Sequence, residues 1–124
     1  MYKRQLHDAV GAAIHGSLAG QGTPGLVFCH LSHAYADGAS LYFTFISRSR
    51  HGAELEQWRQ VKGAACEAIV ACGGTITHHH AVGHDHAPYM EAEVGRTGLD
   101  VLRAVKAQLD PAGIMNPGKL IPAS

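Results

Sequence analysis

The sequence is poor in the features that mark several common protein classes. Its three cysteines, Cys29, Cys66 and Cys72, are odd in number and form no CxxC pair. That argues against a disulfide framework and a zinc ribbon, and makes reduced thiols in an intracellular, cytoplasmic setting the expectation. No apolar run approaches the roughly 20 residues of a membrane helix, and the start is charged and polar rather than signal-like. Neither charge is in excess, with ten Lys+Arg against ten Asp+Glu. A nucleic-acid module needs a basic surplus to neutralise phosphates, so no nucleic-acid partner is expected. Neither a P-loop GxxxxGK[ST] string nor a GxSxG nucleophile string occurs. No dinucleotide-binding element is recognisable.

What is present is one domain's length of chain with 46% hydrophobic residues, enough for a packed core. Apolar spacing predicts a first helix over Lys3 to Ala19, with Leu6, Val10, Ile14 and Leu18 on one stripe. Gly20 to Gly25 ends it. Leu26 to His33 reads as a strand, Asp37-Gly38 as a hairpin turn, and Ala39 to Ser47 as a second strand. The second strand alternates. Leu41, Phe43 and Phe45 should face the core, and Tyr42 and Thr44 something wetter or a ligand. A long helix should follow over Ala53 to Ala71, burying Leu55, Trp58, Val61, Ala65, Ile69 and Cys72. Thr75 to Thr77 reads as a short third strand. A last helix should span Gly98 to Leu109, capped by Thr97, with Leu99, Leu102, Val105 and Leu109 as its stripe. The Pro- and Gly-bearing tail should be irregular. This order predicts an α+β fold with helices on one face of an antiparallel sheet.

Histidine carries the main chemical signal. There are ten, five of them between His78 and His86. In a strand, His78 and His80 would share a face and His79 would point away. Such imidazoles could share a metal ion, with His84 and His86 as further ligands, although no HExxH spacing supports this. They could equally form an acid–base and anion-anchoring site, or a plain polar loop. Tyr42 is the second candidate, against the commoner role of a packed strand tyrosine.

Three strings carry a resemblance: CHLSHAYADGASLYFTFI from Cys29, GGTITHHHAVG from Gly73 and LDPAGIMNPGKLI from Leu109. Together they make nearly the whole chain resemble the C-terminal part of FAD-linked oxidases of the vanillyl-alcohol-oxidase type. Within that group it is most similar to the alkyldihydroxyacetonephosphate synthase branch. The resemblance implies a ferredoxin-like antiparallel sheet with helices on one face, whose bare face covers FAD and the substrate. Residues 1–110 would be part of this cap domain. Residues 111–124 would be a tail returning to a missing N-terminal FAD-binding domain. The opening Met-Tyr-Lys-Arg-Gln also resembles translated adaptor sequence, so Met1 is not expected to be a biological start.

The implied activity is exchange of the acyl group of acyl-dihydroxyacetone phosphate for a fatty alcohol, with the flavin cycling without net redox change. The implied catalytic residues are Tyr42 as proton carrier, with His79 and His80 orienting substrate. His78, Asn116 and Lys119 would contact FAD, and no resident metal is implied. Further implied partners are a lipid substrate, a membrane surface for the full enzyme, and a second copy pairing through an open sheet edge. The NPGK string at Asn116 to Lys119 fits lactate- and glycolate-type dehydrogenases equally well. A 2-hydroxy acid dehydrogenase and a histidine-rich metal-binding module are therefore the alternatives.

Overall fold

The computed structural model describes residues 3–122. Met1 and Tyr2, which open the adaptor-like string, and Ala123 and Ser124 lie outside the described residues. The elements run α1 (Lys3–Gly20), β1 (Gly25–Ala34), β2 (Ala39–Ser47), α2 (Glu54–Ala71), a single 3₁₀ turn (Ala87–Tyr89) and α3 (Met90–Leu109). They form two units, one ending at Gly74 and the other beginning at Thr75. No helix among the described residues is long and apolar enough to cross a membrane.

The first unit is α+β. Helix α1 buries Val10, Ile14 and Leu18, the stripe its spacing predicts, and these meet Val61 of α2. Val27, Phe43 and Phe45 pack on this cluster from the sheet side. The alternation of β2 therefore holds, with its odd-numbered residues toward the helices. Helix α2 departs from its predicted stripe at the first turns. Leu55 and Trp58 remain largely exposed, while Gln57 is buried. The Gln57 amide donates to Thr23 Oγ1 and to the Arg48 carbonyl, each at 2.9 Å, and accepts from the Arg50 N–H at 3.0 Å. A polar residue is stable there because each end of the amide has a partner.

Gly20 to Gly25 has the GxGxxG spacing, but it joins a helix to a strand. A dinucleotide fingerprint runs from strand to helix, so here the string is a connector. The hairpin turn is also one residue earlier than predicted. Tyr35 and Gly38 exchange backbone hydrogen bonds at 2.7 and 3.4 Å, leaving Ala36-Asp37 as the turn.

The sheet among the described residues has two strands, not three. Thr75 to Thr77 is irregular because the Ile76 N–H donates to the Glu93 carboxylate at 3.0 Å instead of to a neighbouring strand. In the second unit α3 begins eight residues earlier than predicted, at Met90. Its two halves meet at Gly95, whose φ of 72° and ψ of 168° interrupt the helical backbone. Leu99 is buried, but Val105 and Leu109 of the predicted stripe are exposed. The tail is a series of turns tied to the end of α3. Asp110 accepts from the Ile114 and Met115 N–H groups at 3.0 Å, and Lys106 donates to Asp110 and to the Met115 carbonyl.

Candidate functional site

The sheet of the first unit is covered by helices on one face only. Its open face is built from three cross-strand pairs: Leu26 with Ile46, Phe28 with Thr44, and His30 with Tyr42. Tyr42 and Thr44 thus lie where alternation puts them. The surface around them is less polar than predicted, since Leu26 and Ile46 are each 62% exposed on it. Rings of His30 and Tyr42 stack, with centroids 5.1 Å apart and planes 25° from parallel.

The pairing of His30 with Tyr42 depends on a bulge. Counted back from the turn, Ala34 pairs with Ala39 and His33 with Ser40. A regular ladder would continue with Leu31 against Tyr42. The shift between Leu31 and His33 leaves Ser32 as an extra residue and sets Leu31 against Leu41 instead. Every residue of β1 before the bulge is thereby turned over. Val27 and Cys29 go to the helices, and Leu26, Phe28 and His30 go to the open face. After the bulge His33 joins the same face, where its ring lies 6.5 Å from that of Tyr35. Sequence reasoning missed His30 and His33, because LVFCHLSHA shows no alternation that would reveal a bulge. Burial pushes the Cys29 thiol up, so it stays in its protonated, weakly nucleophilic form.

The second unit carries the histidine run. Since His78 to His80 lie in a bend rather than a strand, their rings do not alternate between faces. His78 Nδ1 and His79 Nδ1 are 2.7 Å apart, and the His79 and His80 rings meet edge to face at 4.3 Å. A contact between two ring nitrogens needs one donor and one acceptor, so one of these two rings carries a hydrogen on Nδ1 and the other accepts there. Thr77 Oγ1 closes the bend by donating to the Ala81 carbonyl at 3.1 Å. The same carbonyl is 3.3 Å from His86 Nδ1.

The tail comes back to this segment. Lys119 Nζ donates to His84 Nε2, and the Leu120 N–H donates to the Gly83 carbonyl at 3.3 Å. Gly118 makes that approach feasible: a Cβ there would stand 3.0 Å from His84 Cε1, at a φ of 71°. Asn116 occupies a left-handed turn position at φ 46°. The structure therefore brings His78, His79 and His80 together, and Lys119 onto His84. Tyr42 belongs to the first unit.

Two features bear on a flavin. The open sheet face is rich in aliphatic and aromatic carbon and carries a phenol, a hydroxyl and imidazoles. That donor set fits the edge and face of a planar heteroaromatic ring. Among the described residues the GxGxxG spacing of Gly20 to Gly25 leads from a helix into a strand, so it supplies no phosphate-cradling helix start.

Known proteins of an FAD-linked family are similar to this chain. The family model described as FAD linked oxidases, C-terminal domain, matches residues 4–120. The alkyldihydroxyacetonephosphate synthase of Trypanosoma brucei brucei is 41% identical over 125 residues, covering 99% of this chain and 20% of its own length. That of Dictyostelium discoideum is 38% identical over 102 residues, covering 82% of this chain and 17% of its own. The glycolate oxidase subunit GlcD of Bacillus subtilis is 39% identical over 92 residues, covering 74% of this chain and 19% of its own. The chain thus spans about a fifth of the length of these curated relatives. With helices on one face of an antiparallel hairpin and an open face opposite, the chain belongs to the FAD-linked oxidase C-terminal domain family.

Proposed function

We propose that these residues are the cap portion of a longer FAD-dependent enzyme that exchanges the acyl group of acyl-dihydroxyacetone phosphate for a fatty alcohol. The observation that carries this reading is Tyr42 on the open sheet face, with Leu26, Phe28 and Ile46 around it. A phenol can both give and take a proton, and an aliphatic wall suits a hydrocarbon chain.

In the exchange, the carbon–oxygen bond to the fatty acid breaks and the acid leaves. The alcohol oxygen then bonds to the vacated carbon, and the alcohol's proton is released. Bound FAD supplies electron-pair chemistry without net oxidation or reduction. Tyr42 moves the proton at its phenol oxygen. His79 and His80 orient the substrate and stabilise negative charge, a role their mutual ring contacts favour by limiting side-chain freedom. His78, Asn116 and Lys119 would serve the flavin side, with Lys119 held on His84 until a ligand competes for it.

A second reading is favoured by the glycolate oxidase subunit, which is nearly as similar over a shorter stretch. In that reading the same face would serve oxidation of a 2-hydroxy acid.

The test is Tyr42→Phe in the longer enzyme. Turnover of acyl exchange should fall by about 10²–10⁴-fold with FAD content unchanged, the range expected for a general acid–base. A loss within about threefold would refute Tyr42 as the proton carrier. Bleaching of the flavin by glycolate or lactate, without acyl exchange, would establish the dehydrogenase reading instead.

A further inference from the structure

We infer that His30 is a positioning residue for Tyr42, acting through the face of its ring. The inference rests on the proposed role of Tyr42 and deepens it. His30 stands directly opposite Tyr42 in the ladder, and the two rings overlap at 5.1 Å and 25°. This lies inside the offset-stacking range for aromatic pairs. Tyr42 is 41% exposed, so a contact across its ring face adds to what orients it. An exposed strand tyrosine has several staggered settings of its first torsion and a soft second one. Proton transfer requires the phenol oxygen to be held to within about half an ångström and 10–20°. A misplacement of about 1 Å can cost 10²-fold in rate. A ring stacked on one side of the phenol supplies that restraint.

In the ladder it is His30 that stands opposite Tyr42. Phe28 stands opposite Thr44, and the His33 ring lies against Tyr35 nearer the hairpin turn. Phe43 and Phe45 are on the helix face. The bulge at Ser32 is what delivers His30 to this position, since an unbroken ladder would place Leu31 there. An aliphatic residue would fill the space without offering a planar face.

The experiment uses the FAD-loaded longer enzyme and its acyl-exchange assay with a fatty alcohol. His30→Ala should lower kcat at least about tenfold, with KM within about threefold and with FAD content and melting temperature unchanged. His30→Phe keeps a planar ring and should restore kcat to within about threefold. The double variant His30→Ala with Tyr42→Phe should be no slower than Tyr42→Phe alone, because a positioning residue acts only through its target. An unchanged kcat in His30→Ala, a Phe variant as slow as the Ala variant, or an additive double variant would each overturn the inference. If Tyr42→Phe is slow while His30→Ala is normal, only the positioning role fails. If Tyr42→Phe is itself normal, the proton-carrier reading fails and takes this one with it.

Discussion

Gln57 is the polar knot of the first unit, and replacing it by alanine should destabilise that unit by about 2–3 kcal/mol. The side chain makes three hydrogen bonds, to Thr23, Arg48 and Arg50. Through Thr23 Oγ1, which donates to the Leu18 carbonyl at 3.3 Å, it also reaches the end of α1. One residue therefore ties α2 to the exit of α1, the entry of β1 and the exit of β2. At about 1 kcal/mol net per bond the loss is about 3 kcal/mol. Water can reach the partly exposed Arg48 and Arg50 backbone and recover some of this, which sets the lower figure. The assay is urea unfolding of the chain followed by fluorescence of Trp58, its single tryptophan. Trp58 stacks on Phe45 with centroids 6.0 Å apart and reports on the same helix–sheet contact. Gln60→Ala is the control, because Gln60 bonds only Glu56 on the exposed face of the same helix, at 2.8 Å. Its loss should stay within about 0.5 kcal/mol. A Gln57→Ala effect equal to the control would refute the claim that this amide network orders the unit.

Two further predictions concern the tail and the cofactor. The Lys106 ammonium, with the Ile114 and Met115 N–H groups, holds the Asp110 carboxyl below the usual carboxylate range. A folded-state value below the unfolded one stabilises the tail at pH above the usual range and loses that contribution as pH falls through the lowered value. The Ile114 and Met115 amide resonances should therefore titrate at a pH below the ordinary carboxylate midpoint, and Asp110→Asn should abolish that titration; a midpoint at or above the ordinary value would contradict the anchoring role. In a visible-absorbance and fluorescence titration this chain alone should not bind FAD stoichiometrically at micromolar concentration, since its one GxGxxG string among the described residues runs from helix to strand and cannot cradle a pyrophosphate. Stoichiometric binding would mean the chain holds flavin by itself.

Where a helix has one buried stripe and regular spacing, the sequence was legible. Leu6, Val10, Ile14 and Leu18 located α1 and its core face because a 3.6-residue period leaves no competing interpretation. The alternation of Leu41, Phe43 and Phe45 against Tyr42 and Thr44 did the same for β2, and with it the face on which Tyr42 stands. Legibility failed where a long-range polar partner decided the outcome. Gln57 looks like a surface residue until Thr23 and Arg48 are brought to it. Thr75 to Thr77 looks like a strand until Glu93 takes the Ile76 N–H. Val105 and Leu109 have the spacing of a buried stripe yet are exposed, because periodicity reports which side of a helix is apolar and not whether anything covers it. The clustering of His78 to His80 was plain from the sequence. Their ring-to-ring contacts were not, because the bend that makes them depends on Thr77 and Ala81.

The extra residue at Ser32 makes the open face a question of parity. On one side of it the odd-numbered Val27 and Cys29 turn toward the helices; on the other side His33, also odd, turns to the open face. The identity of the side chains beside Tyr42 is therefore governed by how many residues separate them from the hairpin turn, as much as by which residues they are. A gain or loss of one residue at the bulge itself can be absorbed by making or closing the irregularity. The same change just before Leu31 would exchange an imidazole and two large apolar groups for side chains meant for the core, and a residue gained just after Tyr42 would bring Phe43 and Phe45 onto the open face. Substitution scanning, which preserves the count, leaves this determinant of the surface untouched.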